Sequence, residues 1–162
     1  MERNSCFFTG HRNVRFDPLL IIKTGHAIND LIKEGITDFY AGGAIGWDMI
    51  CEELVLSLKK KYPYIKLHLI LPCHPKQQTL NWSEEDKSEY DSILENADDV
   101  ELVSINYSND CMKKRNSRLV SLGDICLCYF NENDKRSGTG QTVRMAQKAE
   151  KRIINMYYHS EK

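Results

Sequence analysis

Three short segments hold the residue types best suited to gripping an anion: Thr9-Gly10-His11-Arg12, Gly42-Gly43-Ala44-Ile45-Gly46-Trp47-Asp48 and Ser137-Gly138-Thr139-Gly140-Gln141-Thr142. Each follows an apolar run and precedes a stretch with helical periodicity. Glycine lets a backbone approach a phosphate closely. The helix start that follows supplies unpaired N–H groups and a dipole worth about 0.3–1 kcal/mol toward negative charge. Two such starts, at about Ile45 and at Ser137, suit a ligand with several phosphates. The spacing is GG-x-x-G rather than G-x-G-x-x-G, and no Gly-Lys-Ser/Thr occurs. Ordinary dinucleotide dehydrogenases and P-loop ATPases are therefore disfavoured.

Around these loops stand the side chains able to act on a bound anion. Arg12 and Arg115 carry planar forks that match phosphate oxygens, with a surface salt bridge as the plainer role. Asn116 adjoins Arg115. His11 can hydrogen-bond a ribose or phosphate or serve only as a polar loop residue. Asp48 and Glu53 are the carboxylates near the second loop, and Asp48 has the competing duty of capping that loop's backbone. Trp47 and Trp82 offer rings for stacking on a base, although core packing is the expected role of Trp47. Cys73-His74 and Cys111 lack a C-x-x-C pair or a second histidine at ligand spacing, so no metal site and no required cofactor are expected.

The elements that must position these residues read as alternating strands and helices. Strands are expected at 6–8, 36–41, 64–71, 99–104, 125–130 and 152–156. Helices are expected from Asp17-Pro18, over 45–60, 84–96, 110–122 and from Ser137 to about Lys151, with Gly35 at the first helix's C-terminal cap. Residues 76–86 show no strong periodicity and are expected to form an irregular loop. This β-α alternation implies an α/β fold, a Rossmann-like three-layer α/β/α arrangement with a mostly parallel sheet of about six strands and ligands beyond the strands' carboxyl ends.

Bulk properties agree with one domain over 1–162. Lys plus Arg number 22 against 23 for Asp plus Glu, a net charge of -1, so nothing in the overall field recruits nucleic acid and DNA is not the expected partner. The stretch from Met1 to Ser5 leads directly into strand-like residues, and no window approaches the roughly 18 apolar residues of a membrane helix. A cytoplasmic chain without a membrane partner is expected. The six cysteines, at 6, 51, 73, 111, 126 and 128, fall mostly inside apolar elements and read as reduced, buried thiols.

Several segments taken together resemble the SLOG superfamily, which joins Smf/DprA-type proteins with the LOG phosphoribohydrolases, and most closely its small YpsA-like branch from Gram-positive bacteria. They are Phe8-Thr9-Gly10-His11-Arg12, the Gly42-to-Asp48 block with Glu53, Leu71-Pro72-Cys73, Cys111-Met112-x-x-Arg115-Asn116, and Ser137-Gly138-Thr139 with Thr142-Val143. The resemblance spans essentially the whole chain. It implies a Rossmann-like fold that binds nucleotides or ADP-ribose-like molecules, and a homo-oligomer. LOG enzymes cleave a ribosyl bond with an arginine and with the glutamate of a P-G-G-x-G-T-x-x-E segment. Arg115 matches that arginine, but Thr142 falls at the glutamate's position, and a hydroxyl cannot supply the carboxylate.

Three functions follow as expectations. The first is binding, for sensing or sequestration, of a nucleotide derivative such as ADP-ribose, NAD or a cyclic nucleotide at Thr9 to Arg12, Gly42 to Ala44, Gly46, Asp48, Arg115, Asn116, Ser137 to Thr139 and Thr142. The second is N-glycoside hydrolysis with Arg115 and either Asp48 or Glu53 as catalytic groups. The third is a protein-interaction module with a vestigial pocket.

Overall fold

A computed structural model describes residues 4–14 and 17–158; the expected lead-in at Met1 to Arg3 lies outside them. In chain order the elements are β1 (Ser5–Gly10), α1 (Pro18–Lys33), β2 (Asp38–Ala41), α2 (Trp47–Leu58), β3 (Lys66–Leu71), the single turn α3 (Pro75–Gln78), α4 (Glu84–Asn96), β4 (Asp99–Leu102), α5 (Cys111–Leu122), β5 (Ile125–Tyr129), α6 (Gly138–Lys148) and β6 (Arg152–Asn155).

All five strand pairings are parallel, in the order β4-β3-β2-β1-β5-β6. The chain builds outward from β1 to β4, and α5 then carries it back to β5 on the other side of β1. Helices consequently cover both faces: α1, α2 and α4 pack over a cluster containing Phe8, Phe39, Trp47 and Leu69, while α5 and α6 pack over Phe7, Ile70, Cys126 and Val143. Burial on both faces explains why Cys6-Phe7-Phe8 and all of β5 are apolar without alternation. The expected α/β architecture is therefore the one observed.

Local signals account for the boundaries. Asp17 caps α1 by accepting from the Leu19 amide at 2.9 Å, with Pro18 at the first helical position. Gly35, at φ 109°, turns the chain out of α1 toward β2. Helix α2 begins at Trp47 rather than at residue 45, because Gly46 holds φ 83° and no helix includes that conformation. Strand β3 starts at Lys66, leaving Tyr64 on the surface. The segment expected to be irregular is partly ordered: α3 occupies its start and α4 its end. Gln78 donates to the Gly43 carbonyl at 3.3 Å and accepts from the Tyr90 hydroxyl at 2.8 Å. These tertiary bonds have no periodic trace in the sequence.

The order in which strands are laid down reverses between β1 and β5, all strands staying parallel. In an open α/β sheet the crevice beyond the carboxyl ends at such a reversal is where ligands bind. Register puts Thr9 beside Cys128 and Gly10 beside Tyr129 at the mouth of that crevice.

Candidate functional site

A cavity of about 330 Å³ opens at this reversal point. Its lining comes from four places in the chain: Thr9 to Arg12 after β1, Ala44 and Asp48 from the second glycine loop and α2, Met112, Arg115 and Asn116 on α5, and Ser137 to Thr139 at the start of α6. The first and third glycine segments thus meet at one rim. The second contributes differently.

Gly42 and Gly43 are buried behind the cavity. A Cβ at Gly42 would collide with the Arg115 guanidinium, and one at Gly43 would come within 2.6 Å of Leu71. The start of α2 is also occupied from within, since the Trp47 amide donates to the His11 carbonyl at 3.2 Å and the Ala44 amide to Asp48 Oδ2 at 3.2 Å. Gly42, Gly43 and Gly46 therefore shape and seat the loop, and only Ala44 and Asp48 of that block line the cavity.

Helix α6 presents the opposite case. Ser137 caps it by accepting from the Gly140 amide at 3.0 Å. The amides of Gly138 and Thr139 find no acceptor among the described residues. A Cβ at Gly138 would meet nothing within 4 Å. This is an open helix start with free donors, the arrangement that holds anions. Thr142 is set back from it, fully buried and donating to the Gly138 carbonyl at 2.8 Å.

Charge at the cavity floor is arranged in depth. Arg115 is buried; its Nη1 donates to the Gly42 carbonyl at 2.5 Å and its Nε to Asn116 Oδ1 at 2.8 Å. Burial pushes the Asp48 carboxyl up, and the Arg115 guanidinium and the Ala44 and Gly42 amides pull against it. One helical turn further in, at the i+4 position, Glu52 is buried with neither carboxyl oxygen hydrogen-bonded among the described residues. Burial, reinforced by Asp48, drives its pKa well above the ordinary carboxylate range. The Arg115 guanidinium and the Gly43 amide pull against that rise, so the two buried carboxyls of α2 share one buried cation.

Glu53, the other carboxylate expected at the site, is exposed and lies in an acidic surface depression with Glu84, Glu85 and Glu89, apart from the cavity. Sequence inspection singled out Glu53 and overlooked Glu52. The available signal was the four-residue spacing from Asp48, which puts both on the inward face of α2.

At the rim, Arg12 is exposed and forms no ion pair among the described residues. His11 Nε2 accepts from the Asn131 amide at 2.9 Å, which fixes a neutral ring with its proton on Nδ1, and burial lowers its pKa. His11 therefore ties the β5 loop to the β1 loop. Trp47 is fully buried, donates to the Leu127 carbonyl at 3.3 Å and stacks on Tyr129, so it is core, as expected. Cys73 and Cys111 lie side by side, and no group of three metal-ligating side chains occurs among the described residues. No helix among them is long and apolar enough to cross a membrane.

An all-parallel sheet with its cavity at the reversal point defines a Rossmann-like α/β protein. The family profile YpsA, described as the YspA SLOG family, matches residues 7–160, and the chain belongs to that family. UPF0398 protein BH1768 of Halalkalibacterium halodurans is 30% identical over 120 residues, covering 73% of this chain and 62% of the relative. UPF0398 protein SSP1297 of Staphylococcus saprophyticus is 28% identical over 114 residues, covering 69% and 60%. The chain spans about three fifths of the length of these relatives. Among solved structures, DNA processing protein A from Helicobacter pylori, described with a single-stranded DNA binding mode, superposes with TM-score 0.64 at 21% identity over 94% of this chain and 64% of its own. TM1055 does so with TM-score 0.56 at 13% identity over 93% and 72%. At these identities the likeness is one of fold.

Proposed function

We propose that this protein binds a nucleotide-derived anion of the ADP-ribose, NAD or cyclic-nucleotide kind in the crevice between β1 and β5, for sensing or sequestration. The observation that carries the reading is the single cavity shared by Thr9 to Arg12, Arg115-Asn116 and the uncapped amides of Gly138 and Thr139. Amides at a helix start and an unpaired arginine are the donors a phosphate selects.

Calorimetry with ADP-ribose, NAD, AMP, a cyclic dinucleotide and a single-stranded oligonucleotide tests it. The oligonucleotide arm belongs in the panel because the named ligand of DNA processing protein A is also a phosphodiester. At least one mononucleotide or dinucleotide is expected to bind, and Gly138→Asp is expected to weaken it about tenfold or more with the melting temperature unchanged or slightly raised. The open space at Gly138 accepts a side chain. A carboxylate at a helix start suits the dipole while repelling an anionic ligand. No binding across the panel, or binding indifferent to Gly138→Asp, would count against the site.

A second reading is hydrolysis of an N-glycosidic bond, favoured by Asp48, whose burial-raised carboxyl lines the same cavity as Arg115. An acid so placed can donate a proton to a departing base. Chromatography of nucleoside phosphates incubated with the wild type and with Asp48→Asn decides it. Release of free base by the wild type alone establishes turnover, and intact substrate in both leaves binding as the function.

A further inference from the structure

Beside the first cavity lies a second, of about 610 Å³, with Arg12 and Met112 forming the wall common to both. Each falls within the roughly 300–1,000 Å³ of small-molecule sites. They differ in the polar groups and rings they present. The first brings Arg115, Asp48, hydroxyls and the open amides of the α6 start together over Phe8 and Leu119. The second is lined by Trp82, Leu80, Ile45 and Tyr107, with Asn81 among its polar groups.

The second cavity's walls are fixed by tertiary bonds. The His74 amide donates to the Ile105 carbonyl at 3.2 Å, the Tyr107 amide to Gln77 Oε1 at 2.5 Å, and Gln78 ties α3 to Gly43. Trp82 is half-buried and held edge-on against Tyr90, with ring centroids 5.2 Å apart at 87°. Yet Leu80 is 70% exposed and Tyr107 61% exposed, so apolar surface faces open space. The Asn81 amide has no partner among the described residues, leaving its donors and acceptor free for a heterocycle's edge.

We propose that this second cavity holds the aromatic base of the same ligand whose phosphates occupy the first, which makes the ligand a nucleoside diphosphate derivative lying across Arg12. The inference rests on the anion-binding reading above. The two linings suit a bipartite ligand of this polarity. A base needs stacking surface, which Trp82 and Tyr107 offer in the second cavity, and a diphosphate needs amide donors at a helix start, which Gly138 and Thr139 offer in the first. Arg12 joins them chemically as well as spatially, because an exposed, unpaired guanidinium forks to phosphate oxygens through its edge and stacks on aromatic rings through its face.

Calorimetry with ADP and with inorganic pyrophosphate, on the wild type, Trp82→Ala and Tyr107→Ala, tests this. The wild type is expected to bind ADP at least about tenfold tighter than pyrophosphate, the usual effect of one stacked base. Both variants are expected to lose that advantage while binding pyrophosphate as the wild type does. Unchanged pyrophosphate affinity also shows that the variants are folded, and Tyr107, standing outside the core, guards against a packing defect at Trp82. Equal wild-type affinities for the two probes, or variants that leave ADP unaffected, overturn the second cavity alone, since pyrophosphate still reports the first. Failure of both probes on the wild type overturns the anion site and this inference with it.

Discussion

Glu52 is the residue whose chemistry departs furthest from its type. Burial, with Asp48 beside it, pushes the Glu52 carboxyl well above its ordinary range, while the Arg115 guanidinium and the Gly43 amide pull against that rise. In the unfolded chain the same group ionises near its ordinary value of 4.5. Unfolding therefore releases a proton above that pH, and the native state loses stability as pH rises from about 4.5 toward the raised native value. The slope approaches about 1.4 kcal/mol per pH unit where one proton is released in full. Urea denaturation at pH 5, 6, 7 and 8 is expected to show this decline, with Glu52→Gln flattening it. A slope identical in the two proteins would show that Glu52 does not hold the proton. His11 works in the opposite sense: with its pKa lowered by burial and its Nε2 occupied by the Asn131 amide, the tie it makes to the β5 loop is present above about pH 6.5 and fails as acid protonates Nε2.

The two glycine-bearing helix starts, α2 and α6, look alike in sequence and do different work. At α2 the loop turns back on itself through Gly43 at φ 70° and Gly46 at φ 83°. A Cβ at Gly46 would overlap the Arg12 carbonyl. Gly46→Ala is accordingly expected to cost about 2 kcal/mol or more of stability in denaturant titration, summing left-handed strain and backbone displacement. Because the Arg12 carbonyl is the atom displaced, the same change is expected to weaken ligand binding. A stability within about 0.5 kcal/mol of wild type would contradict the tight approach. At α6 the opposite holds, since Gly138 faces open space, so there a side chain is expected to alter ligand binding and to spare the fold.

Across the molecule, burial on both faces of the parallel sheet governs reactivity. All six cysteines are buried and free, and burial pushes the Cys6 and Cys51 thiols well above their ordinary range. A thiol-reactive dye is expected to label the native protein slowly, at a rate set by unfolding, and to label six groups at once in denaturant. Fast labelling of one thiol in the native state would identify a cysteine reachable through the cavities, of which Cys73 alone lines one.

The alternation of apolar strands with amphipathic helices, the glycines at strand ends and the capping residues Asp17 and Ser137 were legible in the chain itself, because each depends on a local rule: side-chain period, allowed φ, or an N–H within three residues. Those rules carried the fold class and placed the glycine segments at one sheet edge. Which glycines line the cavity, and which merely let Arg115 and Arg12 approach, was decided by contacts between residues up to 73 positions apart, as with Arg115 and the Gly42 carbonyl. The exchange of Glu53 for Glu52 has the same origin. A one-residue step on a helix turns a side chain by about 100°, and only the packing of α2 against the sheet settles which of two neighbouring carboxylates is buried.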